Sequence, residues 1–358
     1  MMQTNWKEVK NILCIRLDNM GDLLMSTPAF SALKMSPDCK LSVLTSTAAA
    51  AIAREIPEID QVFIYDAPWV KQNNITTPDD YTEIVKTLSS QHFDAAIIFT
   101  VYSQNPLPSA MLAWQAGIPI RLAYCRENPY QLLTHWIPDE EPFKKELHQV
   151  ERDLELVAVT GANFPRLRLS LQTNDVHWAS VTKKIRQHGG DPHEPWIILH
   201  AMVQDEKRRY SFSKWVEIAK QVIDIYGYQL LITGNQQEAQ AAEKLKEAIG
   251  EKAINVAGIF SVAELALLIR KSRLVVSVNT GVIHIAAATS TPIVVLYAIT
   301  NLQHTPWNVR HEVLYFDVPD ALQSKNQLLQ YAYKKIAKEK LKPATVENVL
   351  QAIDNILQ

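Results

Sequence analysis

The segment SVNTGVIHIAAATST, residues 277–291, has the residue types and spacing of an anion-binding turn. β-branched runs on either side predict strand, turn, helix and strand, with the turn at Asn279-Thr280-Gly281 and His284 one helical turn later. Backbone N–H groups at a helix start stabilise an anion, helped by the helix dipole. Gly281 lets a ligand approach the backbone closely, and Thr280 adds a hydroxyl group. The segment fits a diphosphate cradle, although an ordinary βα turn of a parallel sheet would have the same pattern.

A second candidate is the turn after the first predicted strand, RLDNMGD, residues 16–22. Asp22 could act as a general base toward a hydroxyl group, or it could only compensate the dipole at a helix start. Arg16 at the strand end could bind an anionic group, or it could form an ion pair with Asp18. The residues alone leave both pairs of alternatives open.

Charged side chains also follow the first two strands predicted in the second half of the chain. Lys207, Arg208 and Arg209 are consecutive and could neutralise a diphosphate, although such a run is usually only solvated. Glu238 could accept hydrogen bonds from ribose hydroxyl groups, or it could be an acid at a helix N-terminus. These residues are candidates for a nucleotide site.

The composition excludes several classes of protein. The chain has 358 residues, enough for two α/β domains, and is 47% hydrophobic and 21% charged, as globular proteins are. Its net charge of −2 disfavours nonspecific nucleic-acid binding, so no nucleic-acid partner is expected. Cys14, Cys39 and Cys125 are far apart, which predicts reduced, buried thiols.

Several motifs are missing from the sequence. There is no G-x-G-x-x-G and no G-x-x-x-x-G-K-[ST], which disfavours a dehydrogenase or a P-loop NTPase. No metal-ligand spacing occurs, so neither a metal nor a cofactor is expected. The polar start MMQTNWKEVK does not resemble a signal peptide, and no apolar run approaches about 20 residues. We therefore expect a cytoplasmic protein, and peripheral attachment to a membrane face is compatible with these features.

The elements that must position the candidate residues alternate between strands and helices. In the first half we predict one continuous helix at 21–34 and strands at 11–17, 41–44, 62–65, 95–99 and 120–123. In the second half we predict a final helix at 344–357 and strands at 196–200, 229–233, 253–256, 274–276 and 293–296. Such alternation is typical of parallel sheets with crossover helices. A segment with proline and no helical period, at 163–173, marks the domain boundary.

Two segments carry a resemblance to a known family. ILCIRLDNMGDLLMSTPAFSALK, residues 12–34, and VVSVNTGVIHIAAATSTPIVVLYAIT, residues 275–300, resemble motifs of the bacterial ADP-heptose:lipopolysaccharide heptosyltransferases. These enzymes are GT-B glycosyltransferases of family nine. Weaker agreement lies at 116–124, 196–215 and 234–238.

The resemblance implies an α/β fold of the GT-B type, with two tandem Rossmann-like domains whose parallel sheets face a central cleft. Residues 1–170 would form the N-terminal, acceptor-binding domain. Residues 171–340 would form the C-terminal, nucleotide-sugar-binding domain. Residues 341–358 would form a final helix that packs back on the N-terminal domain.

The resemblance also implies roles for individual residues. Asp22 falls on the family's catalytic base. Acceptor-binding positions fall on Arg16 and Arg126. Donor-binding positions, which contact the diphosphate, ribose and adenine, fall on Lys207, Glu238, Phe260, Asn279, Thr280, Gly281 and His284.

The expected activity is inverting, metal-independent transfer of a heptose or related sugar from an ADP-sugar to a lipopolysaccharide-type or other glycan acceptor. The expected partners are a nucleotide-sugar donor, a lipid-linked or glycan acceptor and, by peripheral contact, the cytoplasmic face of the inner membrane.

Three departures from the family pattern lie on the donor side. Asn279 stands where the family often has Asp, Met202-Val203 replace small hydroxyl residues, and Ala298-Ile299-Thr300 replace G-P-T. They leave two alternatives open: a GT-B transferase with another nucleotide sugar, and a catalytically weak nucleotide-sugar-binding protein.

Overall fold

The computed structural model describes residues 6–34, 38–71, 74–162, 167–298, 302–336 and 342–358. The chain divides into two units, Met1–Ser170 and Leu171–Gln358. Each unit contains a six-stranded sheet in which all paired strands are parallel. Parallel strands need crossover connections, and helices supply most of them.

In the first unit the strands run in the order β3-β2-β1-β4-β5-β6. They are β1 (Asn11–Ile15), β2 (Lys40–Thr45), β3 (Gln61–Ile64), β4 (Ala95–Ile98), β5 (Ile120–Cys125) and β6 (His135–Pro138). The helices are α1 (Met20–Met25), α2 (Thr27–Leu33), α3 (Thr47–Ala53), α4 (Pro78–Ser89), α5 (Leu107–Gln115) and α6 (Gln149–Ala158). The order reverses between β1 and β4, the switch point at which open α/β sheets bind ligands.

The second unit repeats this topology in the order β12-β11-β10-β7-β8-β9. Its strands are β7 (Trp196–His200), β8 (Gln229–Ile232), β9 (Ala253–Asn255), β10 (Val275–Val278), β11 (Ile293–Ala298) and β12 (His311–Phe316). Its helices are α7 (Trp178–Gln187), α8 (Phe212–Tyr226), α9 (Ala239–Ile249), α10 (Val262–Arg270), α11 (Gly281–Ala288), α12 (Gln327–Ile336) and α13 (Val346–Leu357). The switch point of this sheet lies between β7 and β10.

The central strands are buried on both faces because helices cover both sides of each sheet. Every residue of β7, β10 and β11 is buried. This burial explains the continuous apolar runs that made these strands predictable from the sequence.

Two of the four edge strands, β6 and β12, were missed in the sequence, whereas the other two, β3 and β9, were predicted. Residues of β6 alternate between half-buried and exposed, and Leu314 is the only buried residue of β12. An edge strand has a partner on one side only, so it does not need a continuous apolar run. The helix α12 was missed as well.

The helix predicted at 21–34 is two helices that meet at Ser26, which corrects that prediction. The Ser26 N–H still donates to Asp22 O at 3.3 Å and to Leu23 O at 3.2 Å, so Ser26 ends α1. Pro28 then lies in the first turn of α2, where its missing N–H costs nothing. A proline deeper in a continuous helix would lack a hydrogen bond and clash with the preceding turn.

The final helix was expected to pack back on the first domain, and that contact stays a prediction, whereas its packing within the second unit is described by the structure. The buried face of α13 joins the core of the second unit through Val349, Ala352 and Ile353. It packs on α8, β11 and β12, and Tyr226 Oη donates to Asp354 at 2.9 Å. Of the helices that the structure describes, none combines the length and hydropathy needed to cross a bilayer.

Candidate active site

Arg16 directly follows β1, and 0% of its surface is exposed. Its Nε lies 3.2 Å from Asp18 Oδ2, and its Nη2 lies 3.3 Å from Asp22 Oδ1. A buried cation needs such partners because its removal from water is otherwise too costly. The ion pair with Asp18, one of the two predicted alternatives, is present. The guanidinium has no exposed surface in this structure, and the contact between Arg16 and an acceptor stays a prediction.

Asp22 is the third residue of α1. Its Oδ2 accepts a hydrogen bond from the Asn19 N–H at 3.2 Å, while Oδ1 faces Arg16. The carboxylate thus caps the helix, as the dipole alternative predicted, yet its side chain keeps 14% of its surface exposed. A carboxylate fixed by two donors and reachable from solvent can also accept a proton. Helix capping and general-base catalysis are therefore compatible roles.

Asp18 connects the ends of three strands of the first sheet. Gln104 Nε2, in the loop after β4, donates to Asp18 Oδ1 at 2.5 Å. Ser46 Oγ, directly after β2, donates to the Asp18 carbonyl at 2.6 Å. Burial raises the pKa of the Asp18 carboxyl, and the Arg16 cation opposes that rise. The loop that carries Arg16 and Asp22 is therefore held from both sides.

Arg126 follows β5, at the same edge of the sheet as Arg16. Its guanidinium donates to the carbonyls of Glu141 at 2.6 Å and Tyr102 at 3.3 Å, and lies 3.4 Å from Asp139 Oδ2. Its side chain keeps 31% of its surface exposed. Arg126 connects neighbouring loops and still presents charge to solvent.

In the second unit, the 279–281 turn joins β10 to α11 as predicted. Thr280 has an extended backbone and precedes the first helical residue, Gly281, and the Ile283 N–H donates to Thr280 O at 3.2 Å. The N–H groups of a first helical turn have no acceptor within the helix. Asn279 and His284 are both buried, with 6% and 3% of their surfaces exposed. The turn can offer backbone amides to an anion.

A second loop reaches this turn from β7. Lys207 keeps 28% of its side chain exposed, and its Nζ lies 3.6 Å from Asp205 Oδ2. Arg208 Nη1 donates to the Asn279 carbonyl at 3.2 Å. This contact joins the loops on either side of the switch point. The basic run was predicted from the sequence, but the contact of Arg208 with Asn279 was not.

Glu238 follows β8, and its Oε2 accepts a hydrogen bond from the Asn235 N–H at 2.8 Å. Asn235 Oδ1 accepts in return from the Glu238 N–H at 3.1 Å, which completes a capping box. The helix N-terminal alternative is therefore present. A side chain at Gly234 would place Cβ 3.0 Å from Glu238 Oε2, so glycine keeps this turn tight.

Phe260 follows β9 and is half-buried, with the Lys184 ammonium 5.7 Å from its ring centre. Nearby, Gly258 has φ +77°, and a Cβ there would lie 2.5 Å from Gln236 Oε1. The predicted donor-side residues thus follow four neighbouring strands of one sheet, in the order β10-β7-β8-β9. The topology brings them to one edge, because parallel strands end on the same side.

One polar pair at this edge was not predicted from the sequence. His200 ends β7, and its Nδ1 lies 2.9 Å from Thr233 Oγ1, just after β8. Burial lowers the pKa of His200 to about 4, so its imidazole is neutral at physiological pH. The signal that could have found it was a histidine at the carboxyl end of a central strand.

The three departures from the family pattern have different placements. Met202 and Val203 are partly buried and pack against the core of the second unit. Ile299 and Thr300 lie outside the described residues. Among the residues that the structure describes, no three His, Cys, Asp or Glu side chains form a group that could hold a metal ion. The cysteines are buried, free thiols, as predicted.

Comparison with known proteins identifies the family. The model of glycosyltransferase family 9 (heptosyltransferase) matches residues 81–333. The chain belongs to this family. Lipooligosaccharide heptosyltransferase 2 of Haemophilus influenzae is 25% identical over 308 residues, which cover 83% of this chain and 85% of the relative. The protein is therefore a glycosyltransferase, as predicted.

Two solved structures share the fold of this family 9 member. A family 9 glycosyl transferase from Veillonella parvula has a TM-score of 0.78 at 17% identity, covering 99% of this chain and 98% of that one. The ADP-heptose lps heptosyltransferase II of Escherichia coli has a TM-score of 0.70 at 21% identity, covering 97% and 98%. The predicted α/β fold of the GT-B class, with two Rossmann-like units, is confirmed.

The family match has a boundary that bears on the site. It begins within α4, so it includes Lys207 and the 279–284 segment but not Arg16 or Asp22. The donor-side residues thus lie within the matched region. The contacts of Arg16 and Asp22 described above come from the structure and do not depend on the family match.

Proposed function

We propose that this family 9 glycosyltransferase moves a heptose, with inversion and without a metal ion, from ADP-heptose to a lipopolysaccharide-type or other glycan acceptor. The family is described as heptosyltransferases, and the E. coli structural neighbour is an ADP-heptose lps heptosyltransferase. The observation that carries the proposal is Asp22, a partly exposed carboxylate fixed by Arg16 at the switch point of the first sheet.

In this proposal the first unit binds the acceptor and Asp22 is the catalytic base. An oxygen of its carboxylate takes the proton from one acceptor hydroxyl while that hydroxyl oxygen attacks the anomeric carbon. Arg16 and the Asn19 N–H keep the carboxylate in one orientation during the attack. A single displacement of this kind inverts the configuration and passes through an oxocarbenium-like transition state.

The second unit would bind the donor and stabilise the leaving group. As the bond between the anomeric carbon and the phosphate oxygen breaks, ADP gains negative charge. Lys207 and the amides at Thr280 and Gly281 would face that charge, and fixed donors of this kind stabilise it without reorganisation. These groups supply the positive potential that a metal ion would otherwise supply.

The remaining donor-side residues would select the nucleotide. Glu238 would accept hydrogen bonds from the ribose through the oxygen that does not cap the helix. Phe260 would line the adenine, while Asn279 and His284 would support the diphosphate turn from its buried side. Arg126 would contribute its exposed charge to an anionic acceptor.

The acceptor chemistry implies a location. A lipid-linked glycan acceptor places the reaction at the cytoplasmic face of the inner membrane, which the protein would meet by peripheral contact.

A donor panel tests the proposal. The full chain would be incubated with ADP-heptose, a UDP-sugar and a GDP-sugar, each with and without a heptose-deficient lipopolysaccharide core. We expect acceptor-dependent nucleotide release with ADP-heptose alone and an undiminished rate in EDTA. Turnover with a UDP- or GDP-sugar would establish the other-donor alternative, which the three donor-side departures motivate. Binding of ADP-heptose without turnover would establish the weakly catalytic alternative, and a rate abolished by EDTA would contradict metal independence.

A further inference from the structure

A buried carboxyl group contacts the end of the helix that carries the proposed base. Asp153, on α6, keeps 1% of its surface exposed. Its Oδ2 accepts a hydrogen bond from Ser26 Oγ at 2.6 Å, and its Oδ1 accepts one from Gln149 Nε2 at 2.7 Å. Ser26 and Gln149 are themselves fully buried. This group lies outside the roles assigned to the site so far.

The first connection from Asp153 to Asp22 is mechanical. Asp22 sits on α1, a helix of six residues, and a helix this short has little stability of its own. Ser26 ends that helix, and both its N–H and its Oγ contact the Asp22 carbonyl, at 3.3 and 3.2 Å. Asp153 holds the same hydroxyl from the neighbouring helix. The position of α1 therefore depends on an anchor in α6.

The second connection is electrostatic. The charged groups that act on the Arg16 guanidinium are Asp18 and Asp22 from its own loop and α1, and Asp153 and Arg152 from α6. Asp153 is thus a third anion for a cation that is fully removed from water. Arg152 is occupied elsewhere, since its guanidinium binds Asp139 and Glu141.

Among the residues that the structure describes, the ionisable groups that act on Asp153 are Arg16, Arg152 and the buried thiol of Cys14 on β1. Burial raises the pKa of the Asp153 carboxyl, whereas Arg16 and the two hydrogen-bond donors favour its anionic form. The buried position thus carries a cost in solvation that the contacts to Ser26 and Gln149 offset only in part.

We propose that Asp153 is a positioning residue for catalysis: it fixes the end of α1 through Ser26 and balances the charge of Arg16 against Asp22. This inference rests on the proposed role of Asp22 as the base. Because Asp153 is fully buried, it acts through Ser26 and Arg16 and does not touch substrate.

Asp153→Asn tests the charge and keeps the shape. Asparagine can still accept the Ser26 hydrogen bond, and a rotated Gln149 amide can accept from its NH₂ group. With one anion fewer beside Arg16, protonation of the base is disfavoured. The acid limb of the pH profile of kcat should therefore move to lower pH by about 0.5–1 unit. An acid limb at the wild-type position would overturn the electrostatic part.

Ser26→Ala removes the hydrogen bond between Ser26 and Asp153 and keeps the Asp153 side chain. We expect kcat to fall about tenfold, with KM changed less than about twofold and the acid limb in place, because one buried hydrogen bond that fixes α1 is lost. An unchanged kcat would overturn the mechanical part. This second variant also decides the matter if Asp153→Asn fails to fold.

Asp94→Asn is the matched control. Asp94 is a structural carboxylate of the same unit that accepts the N–H groups of Lys10 and Asn11, both at 2.9 Å. The Asp94→Asn variant should have a lower melting temperature and an unchanged pH profile of kcat. Asp22→Asn, assayed in parallel, separates the two proposals. Full turnover in that variant removes the base itself, whereas an inactive Asp22→Asn beside wild-type behaviour of the Asp153 and Ser26 variants removes only this inference.

Discussion

The two units have the same strand order but different chemistry at the carboxyl ends of their strands. In the first unit the edge is ionic and largely buried, with Arg16 between Asp18 and Asp22. In the second unit the edge is built from backbone amides and neutral side chains such as His200 and Thr233, with the basic loop beside them. Topology fixes where a ligand binds, and the side chains at that place decide which chemistry follows.

The contrast has a physical reason. A proton acceptor must be held in one orientation, and a buried arginine holds Asp22 through a charged contact that tolerates little movement. A diphosphate must be bound and then released, and amides with a partly exposed lysine do this without burying a permanent charge. The ionic edge therefore suits proton transfer, and the amide edge suits nucleotide binding.

The largest expected effect is a loss of turnover without a loss of donor affinity. Asp22→Asn should lower kcat by about 10²–10⁴-fold, because general-base catalysis contributes that much. ADP affinity, measured by calorimetry, should stay at the wild-type value, since the donor is assigned to the other unit. A loss of ADP affinity equal to the loss of kcat would break the division of labour between the units.

The next largest effect concerns stability of the ionic edge. Arg152→Met would leave Asp139 and Glu141 buried without the guanidinium that contacts them at 3.0 and 2.6 Å. We expect the first unit to lose about 3–5 kcal/mol of unfolding free energy, with hydrogen exchange in the second unit unchanged. Lys144→Ala, which removes an exposed ion pair with Glu140, is the control and should cost under about 0.5 kcal/mol. Equal costs for the two variants would contradict the importance of burial.

A pH titration probes the neutral edge of the second unit. His200 has a pKa of about 4 in the folded chain, against about 6.5 when unfolded. Its contribution to stability is therefore present above pH 6.5 and is lost as the pH falls toward 4, by about 3 kcal/mol in total. His200→Gln should remove this part of the pH dependence in urea denaturation of the second unit. His193→Gln, at an exposed histidine, should keep this pH dependence. An unchanged pH dependence of stability in His200→Gln would exclude His200 as its source.

The smallest effect separates two neighbouring cations. Lys207→Ala should weaken ADP binding about tenfold, because one charge-assisted contact to the diphosphate is lost. Arg209→Ala, an exposed residue two positions later, should change ADP affinity less than about twofold. Calorimetry at constant ionic strength would compare them. Equal losses of ADP affinity in the two variants would mean that the basic run acts only through its combined positive potential.

The sequence predicted the fold and the placement of the site better than it predicted individual contacts. Ten strands were found from the sequence, and the central ones among them read as apolar runs because they are buried on both faces. The break at Ser26 was missed, since the apolar pattern of 21–34 continues through it. The burial of Arg16 was not predictable, because an arginine at a strand end looks the same in sequence whether it meets water or two carboxylates.

By itself, the sequence determined the parallel α/β architecture and the turns that carry the candidate residues, since hydrophobic periodicity and turn chemistry are local properties of the chain. Only the tertiary structure decided that Arg16 orients Asp22, that Arg208 reaches the carbonyl of Asn279, that Asp153 lies behind Ser26 and that α13 packs in the second unit. Each of these contacts joins residues on different elements or depends on burial. The physical reason is that desolvation and charge pairing act between groups that are brought together by the sheet and its helices.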